Sequence, residues 1–152
     1  GDQLISDQTT WAGLSYRALG FLLVGLVALL VMLAVLRNPA GPLRALGAAV
    51  LALAFFALPT QIHERYAFFA LPFLLLAAAT ELRLLLPFVV LVIASTLNIL
   101  GAIGGFAPAL RGAIRASPLP ELAAWANLIV LLALLIVLFI PSRGLRHADY
   151  GV

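Results

Sequence analysis

The chain has 152 residues, of which 64% are apolar and only 10% charged, with a mean hydropathy of +1.17. A soluble domain carries about 25% charged residues, and a fold of this size leaves roughly a third of its surface exposed, so the composition excludes a water-soluble fold and reads as an integral membrane protein. The nine basic residues are all Arg and outnumber six acids by three; scattered as they are, they form no nucleic-acid patch, and with no Cys and only two His neither a disulfide framework nor a metal or cofactor site is expected.

A spanning helix needs about 20 mostly apolar residues, within a range of about 17–25. Taken in chain order, the uncharged runs give helices over 18–36, 45–60, 62–80, 84–101 and 122–141. The first is closed by Arg37-Asn38-Pro39-Ala40-Gly41-Pro42, which makes a tight turn, and the second by Pro59. The third is short for a span and crosses only if Glu81 and Arg83 snorkel at one end; Pro72 should kink it. Pro87 falls in the first turn of the fourth, where a missing N–H costs little. Gly101, Gly104, Gly105 and Pro108 end that helix and start a loop, in which Pro108–Ala116 reads as a short interfacial helix. Pro118 and Pro120 lead into the last helix, and Pro141-Ser142 ends it. The expected fold is all-α, a polytopic membrane helical bundle of about five transmembrane helices in one domain, 1–152, without β-sheet.

Alternating crossings put Arg37, Arg44, Arg83, Arg143 and Arg146 on one side and Arg17, Arg65, Arg111 and Arg115 on the other. The first set crowds helix ends, where the arginine bias counts most, and is assigned to the cytoplasm. The N-terminus, the His63 turn and the 101–121 loop then face outward.

One segment is unlike the surrounding Leu, Ala, Val and Phe: Leu58-Pro59-Thr60-Gln61-Ile62-His63-Glu64-Arg65-Tyr66-Ala67-Phe68-Phe69-Ala70-Leu71-Pro72-Phe73. Three ionisable side chains in a row lie between two apolar runs, and charge at membrane depth is expensive unless paired or facing a cavity. With Thr60 as N-cap, His63, Glu64 and Arg65 fall in the first turns of the third helix, where free N–H groups and the dipole favour a phosphate. Arg65 offers two parallel donors and His63 a third. Successive helical residues diverge by about 100°, so all three meet one ligand atom only if the helix begins irregularly. An interfacial turn whose charges anchor a helix end accounts for the same residues equally well.

The run Pro-Thr-Gln-Ile-His-Glu-Arg-Tyr-Ala-Phe-Phe-Ala-Leu-Pro-Phe resembles the late His-Glu-Arg-Tyr segment of GT-C-type glycosyltransferases. It looks most like the bacterial membrane mannosyltransferase-like group related to the second mannosyltransferase of GPI-anchor synthesis. Ile5-Ser6-Asp7-Gln8 and Gly13-Leu14-Ser15-Tyr16-Arg17 look like the loop before the last helices of that group. The resemblance is specific over about residues 56–73 and covers the rest only in layout. It implies transfer of a sugar, mannose-like, from a polyprenyl-phosphate donor on the outer face of the bacterial inner membrane. Gln61, His63, Glu64, Arg65 and Tyr66 are then the residues that bind the lipid phosphate of the donor. In such enzymes an acidic residue in the first outward loop acts as catalytic base or as an essential electrostatic group, and no counterpart of that loop stands in this sequence, so no catalytic residue is assigned here. The chain reads as the C-terminal part of such an enzyme, inactive alone, partnered by the N-terminal half or by another membrane subunit as well as by lipids. The alternative is a non-catalytic structural or accessory subunit of a larger membrane complex.

Ser95, Thr96, Asn98 and Asn127 lie inside the fourth and fifth runs, where hydrogen bonding between packed helices accounts for them without a sugar-binding cavity. Arg111 and Arg115, four apart, can meet lipid head groups or a lipid diphosphate, and ordinary head-group contact is the expectation.

Overall fold

The computed structural model describes residues 10–11, 13–59, 64–102 and 108–140. It is all-α apart from a minimal ribbon, β1 (Thr10–Trp11) and β2 (Leu14–Ser15), paired antiparallel with Thr10 opposite Ser15. That ribbon corrects the expectation of no β-structure. Gly13 closes it with φ +83°, a backbone conformation that a side chain disfavours.

Among the described residues six α-helices follow. These are α1 (Tyr16–Arg37), α2 (Gly41–Ala57), α3 (Ala70–Ala78), α4 (Leu85–Ala102), α5 (Pro108–Arg115) and α6 (Leu119–Phe139). Short 3-10 helices lead into α3 (Glu64–Phe69) and α4 (Leu82–Leu84). Three segments, Tyr16–Arg37, Leu82–Gly101 and Leu119–Phe139, are long and apolar enough to cross a membrane; Gly41–Ala57 and Ala67–Ala78 are shorter apolar helices.

Ser15 starts α1: its hydroxyl accepts from the Ala18 N–H at 3.2 Å and so satisfies one of the free donors of the first turn. Pro42 opens α2 and Pro120 opens α6, each within the first two positions, where the lost N–H has no helical partner anyway. The third helix departs from the expected 62–80. Its α-helical part begins only at Ala70, with Pro72 in the first turn. A proline ring collides with the carbonyl four residues back, here that of Phe68, so the preceding turn is wound as the tighter 3-10 form. The kink expected at Pro72 is thus a change of helix type just ahead of it. At the other end of α3 the Thr80 hydroxyl donates to the Ala77 carbonyl at 2.9 Å, and Arg83 lies 3.7 Å from Glu81 in the turn to α4.

α2 is the centre of the bundle, packed against α1, α3, α6 and the 3-10 helix 64–69. Leu46, Ala49, Val50, Leu53 and Ala54 are wholly buried there, with Leu74 of α3, Leu91 of α4 and Leu134 of α6. The buried residues of α6 (Ala123, Asn127, Val130, Leu131, Leu134, Leu138) recur at helical spacing and define one stripe. Large apolar side chains cover the outside: Phe21, Leu22 and Leu26 of α1, Leu86 and Ile93 of α4, Ile129 and Ile136 of α6 are all exposed. An outer belt this continuous suits hydrocarbon and not water.

α1 and α2 run antiparallel. A Cβ at Gly20, in the first turns of α1, would lie 2.7 Å from the Leu58 carbonyl oxygen just past α2, while one at Gly47 would lie 2.9 Å from Val31. The start of α1, the end of α2 and the 3-10 helix 64–69 therefore share one end of the bundle. The 3-10 helix packs on α4, and α5 packs on α4 and α6. Ile114 of α5 is buried 3.6 Å from where a Cβ on Gly101 would sit.

Candidate functional site

Of the segment that carries the sequence motif, Leu58, Pro59 and the 3-10 helix 64–69 lie at this end of the bundle. Thr60, Gln61 and His63 lie outside the described residues, so their expected roles as N-cap and phosphate ligands stand on the sequence alone. Glu64, Arg65 and Tyr66 open the 3-10 helix. With three residues per turn, their Cα positions lie about 120° apart around the axis. Further along the same helix Ala67 is fully buried, as is Ala70 at the start of α3, whereas Phe68 and Phe69 are exposed. The expected α-helical first turn is thus corrected to a 3-10 turn, and the positive end of α3 itself begins five residues after Arg65.

The rest of this end comes from α5 and the termini of its neighbours. Arg115 donates from Nε to the Gly101 carbonyl at 3.2 Å. That carbonyl belongs to the last turn of α4, which has no helical donors left, and a cation there also complements the dipole. Through its Nε, Arg115 ties α5 to α4, and its side chain is otherwise exposed. Ser117 makes the next join: its hydroxyl donates to the Ile114 carbonyl at 2.7 Å and accepts from the Leu119 N–H at 3.3 Å, linking the end of α5 to the start of α6.

Arg111, one turn before Arg115, is half-buried, and its Nε is out of solvent contact without a hydrogen-bond partner among the described residues. An Arg donor left unpaired in this way is disfavoured, and an anion is the partner a guanidinium accepts most readily. Arg17 stands exposed in the first turn of α1, and Glu121 exposed in the first turn of α6. Arg17, Arg65, Arg111 and Arg115 thus belong to the same end, while Arg37, Arg44 and Arg83 belong to the other, as the alternation of helices requires. No group of three or more His, Asp or Glu that could hold a metal ion occurs among the described residues.

The intramembrane polar residues behave differently from expectation. Thr96 donates to the Val92 carbonyl of its own helix at 2.8 Å, so it does not join α4 to a neighbour. Ser95 and Asn127 are each 2% exposed, and Ser95 Oγ and Asn127 Oδ1 have no hydrogen-bond partner among the described residues. Ser95 lies seven residues before the end of α4, and Asn127 eight residues after the start of α6. The α4–α6 contact therefore brings two unpaired polar groups to a similar depth, about 10–12 Å below that end of the bundle. Sequence reasoning named both residues but not their lack of partners, which depends on which helix faces which.

No protein-family model, curated protein or solved structure matches this chain.

Proposed function

We propose that this chain is the membrane-embedded part of a GT-C-like glycosyltransferase that takes a mannose-like sugar from a polyprenyl-phosphate donor at the outer face of a bacterial inner membrane. It crosses the membrane about five times, with α2 and the 3-10/α3 segment as the two short crossings, the N-terminus outward and the C-terminus in the cytoplasm. The observation that supports the reading is Arg111 Nε of α5, out of solvent contact and without a hydrogen-bond partner among the described residues, at the end of the bundle where the 3-10 helix 64–69 also packs on α4. A lipid phosphate supplies what that end lacks. Its oxygens take parallel donors from Arg65 and Arg111, with Gln61, His63 and Tyr66 as further donors and Glu64 orienting one of them. The sugar then lies toward the outer face, where an acceptor hydroxyl must meet a general base. That base comes from a partner, either the N-terminal half of the same enzyme or another membrane subunit.

The test is donor binding by the complete assembly. Arg65→Ala and Arg111→Gln are each expected to weaken binding of a polyprenyl-phosphate sugar about tenfold or more, the loss of a charge-assisted pair, with thermal stability little changed. Unchanged donor binding with lowered stability overturns the reading and leaves an anchoring turn. The competing reading, a non-catalytic accessory subunit, draws on the scarcity of acids, six in 152 residues. It is favoured if the assembly keeps its full transfer rate when both arginines are replaced.

A further inference from the structure

At the opposite end of the molecule α1 and α2 leave a groove open to the side, about 290 Å³ in volume, lined by Ala28, Met32, Val35, Arg44, Ala48 and Leu51 among others. Its origin is in the sequence. Gly47 lets the two helices approach until a Cβ there would touch Val31 at 2.9 Å, and beside that contact the small Ala28 and Ala48 fail to fill the space between the larger Met32 and Leu51. The groove runs over eight residues of each helix, roughly 10 Å along the axis.

Its lining is apolar except at one end, where Arg44 stands. Arg44 is exposed and forms no ion pair or side-chain hydrogen bond among the described residues. Two further features make this mouth electropositive. Arg37, exposed at the last turn of α1, lies just across the three-residue turn 38–40. Ala40, at the N-cap of α2, has no side chain with which to cap the first turn, so the positive end of that helix is left to whatever anion is near.

We propose that this groove is a binding site for an anionic phospholipid, with one acyl chain lying along α1 and α2 and the phosphate at Arg44. An empty apolar groove forfeits dispersion contacts on one side, and water gains nothing from an apolar lining. A hydrocarbon chain fills it, and Met32, unbranched and polarizable, adapts to the chain. The guanidinium of Arg44 offers paired donors to phosphate oxygens, and the negative head group complements Arg44 in a lining that holds no acid. The site rests on membrane embedding alone and is independent of any reading of the His-Glu-Arg turn.

The experiment uses the 152-residue chain in nanodiscs of zwitterionic phosphatidylcholine with increasing phosphatidylglycerol, followed by native mass spectrometry of retained lipid. Retention of about one phosphatidylglycerol in preference to phosphatidylcholine is expected. Arg44→Gln should reduce that preference roughly fivefold, the contribution of one Arg at a charged lipid surface, while lipid of either kind is still retained. Ala28→Phe, placed on an exposed position so that folding is undisturbed, should abolish retention of both. Gly25→Phe, on the same helix where nothing lies within 4 Å, should change neither. A phosphatidylglycerol preference undiminished in Arg44→Gln, or undiminished retention in Ala28→Phe, overturns the site. Release of the unmodified chain from vesicles by alkaline carbonate would instead overturn membrane embedding itself, and with it this site.

Discussion

α1 and α2 are neighbours built from much the same apolar vocabulary, yet they occupy opposite environments. α1 buries four of its 22 residues and α2 eight of its 17. Phe21, Leu22, Leu23, Leu26, Leu29, Met32, Leu33 and Leu36 of α1 are exposed, whereas Phe55 is the one large exposed hydrophobic of α2. Hydrophobicity does not separate the two, because lipid tails are as apolar as a protein interior. Side-chain size does. Eight of the 17 residues of α2 are Gly or Ala, against five of the 22 in α1. Small residues let α1, α3 and α6 close around α2, and the gain is dispersion between surfaces that fit.

If fit and not hydrophobicity holds α2 in place, truncating its large buried side chains should be the most damaging change to either helix. Leu46→Ala and Leu53→Ala each remove a side chain with no exposure and should cost about 2–5 kcal/mol, since the surroundings relax only partly into the cavity. Leu22→Ala and Leu29→Ala trade protein–lipid contact for slightly more lipid and should stay within about 0.5 kcal/mol. Denaturation in mixed micelles measures both; equal losses in the two helices would break the comparison.

A charge sharpens it from the other side. Leu29→Arg, midway along α1 on its exposed face, should cost about 2.5–3.5 kcal/mol of membrane insertion. In water such an exposed change would be nearly neutral. Glycosylation-tagged insertion measures the difference, and a neutral result would mean that the outer belt does not face lipid.

The glycines of α1 divide in the same way. At Gly20 a Cβ meets backbone, the Leu58 carbonyl oxygen at 2.7 Å and Pro59 Cα at 2.9 Å, while at Gly25 nothing lies within 4 Å. Backbone cannot swing aside as a side-chain tip can. Gly20→Val is therefore expected to lose about 1–3 kcal/mol through overpacking, and Gly25→Ala to be neutral or to gain up to about 1 kcal/mol from helix propensity. Thermal unfolding of the two variants side by side tests this.

Much of the helix layout can be read from uncharged runs, and the misses share a cause. Arg17, Arg44 and Glu121 each interrupt a run, so the expected helices begin at 18, 45 and 122, while α1, α2 and α6 begin at Tyr16, Gly41 and Leu119. All three charged residues are exposed in the first or second helical turn, where a side chain reaches the interface without ending the helix. Pro42 and Pro120 read as breaks for a similar reason, although in the first turn a proline belongs to the helix it seems to interrupt. The end of α2 follows from Pro59, which has no N–H to continue the ladder, while Leu58 keeps helical backbone and still donates to the Ala54 carbonyl at 3.0 Å. The 3-10 form of 64–69 was harder to see, because Pro72 acts on carbonyls behind it. The candidate site was legible as a charged run between apolar ones. That α5 shares its end of the bundle follows from the alternation of crossings; that Arg111 Nε has no hydrogen-bond partner among the described residues depends on tertiary packing that no local spacing encodes.

The smallest expected effect separates the beginnings of the two helices. Ser15 precedes α1 with φ −68° and ψ 149°, and Ala40 precedes α2 with φ −57° and ψ 142°. The two backbones are alike, and both suit an N-cap; only Ser15 has an oxygen with which to accept from the first turn. Ser15→Ala should then cost about 1 kcal/mol, the usual worth of a capping hydroxyl. Ala40→Ser needs no backbone adjustment and should gain several tenths of a kcal/mol in neutral detergent, where nothing else satisfies the free N–H groups of α2. In anionic lipid that gain should shrink, because a phosphate at Arg44 already offers its oxygens to the same positive end. Thermal unfolding of Ala40→Ser in the two media measures the difference. A gain of the same size in both would mean that the start of α2 meets no anion, and that its missing cap is simply unfilled.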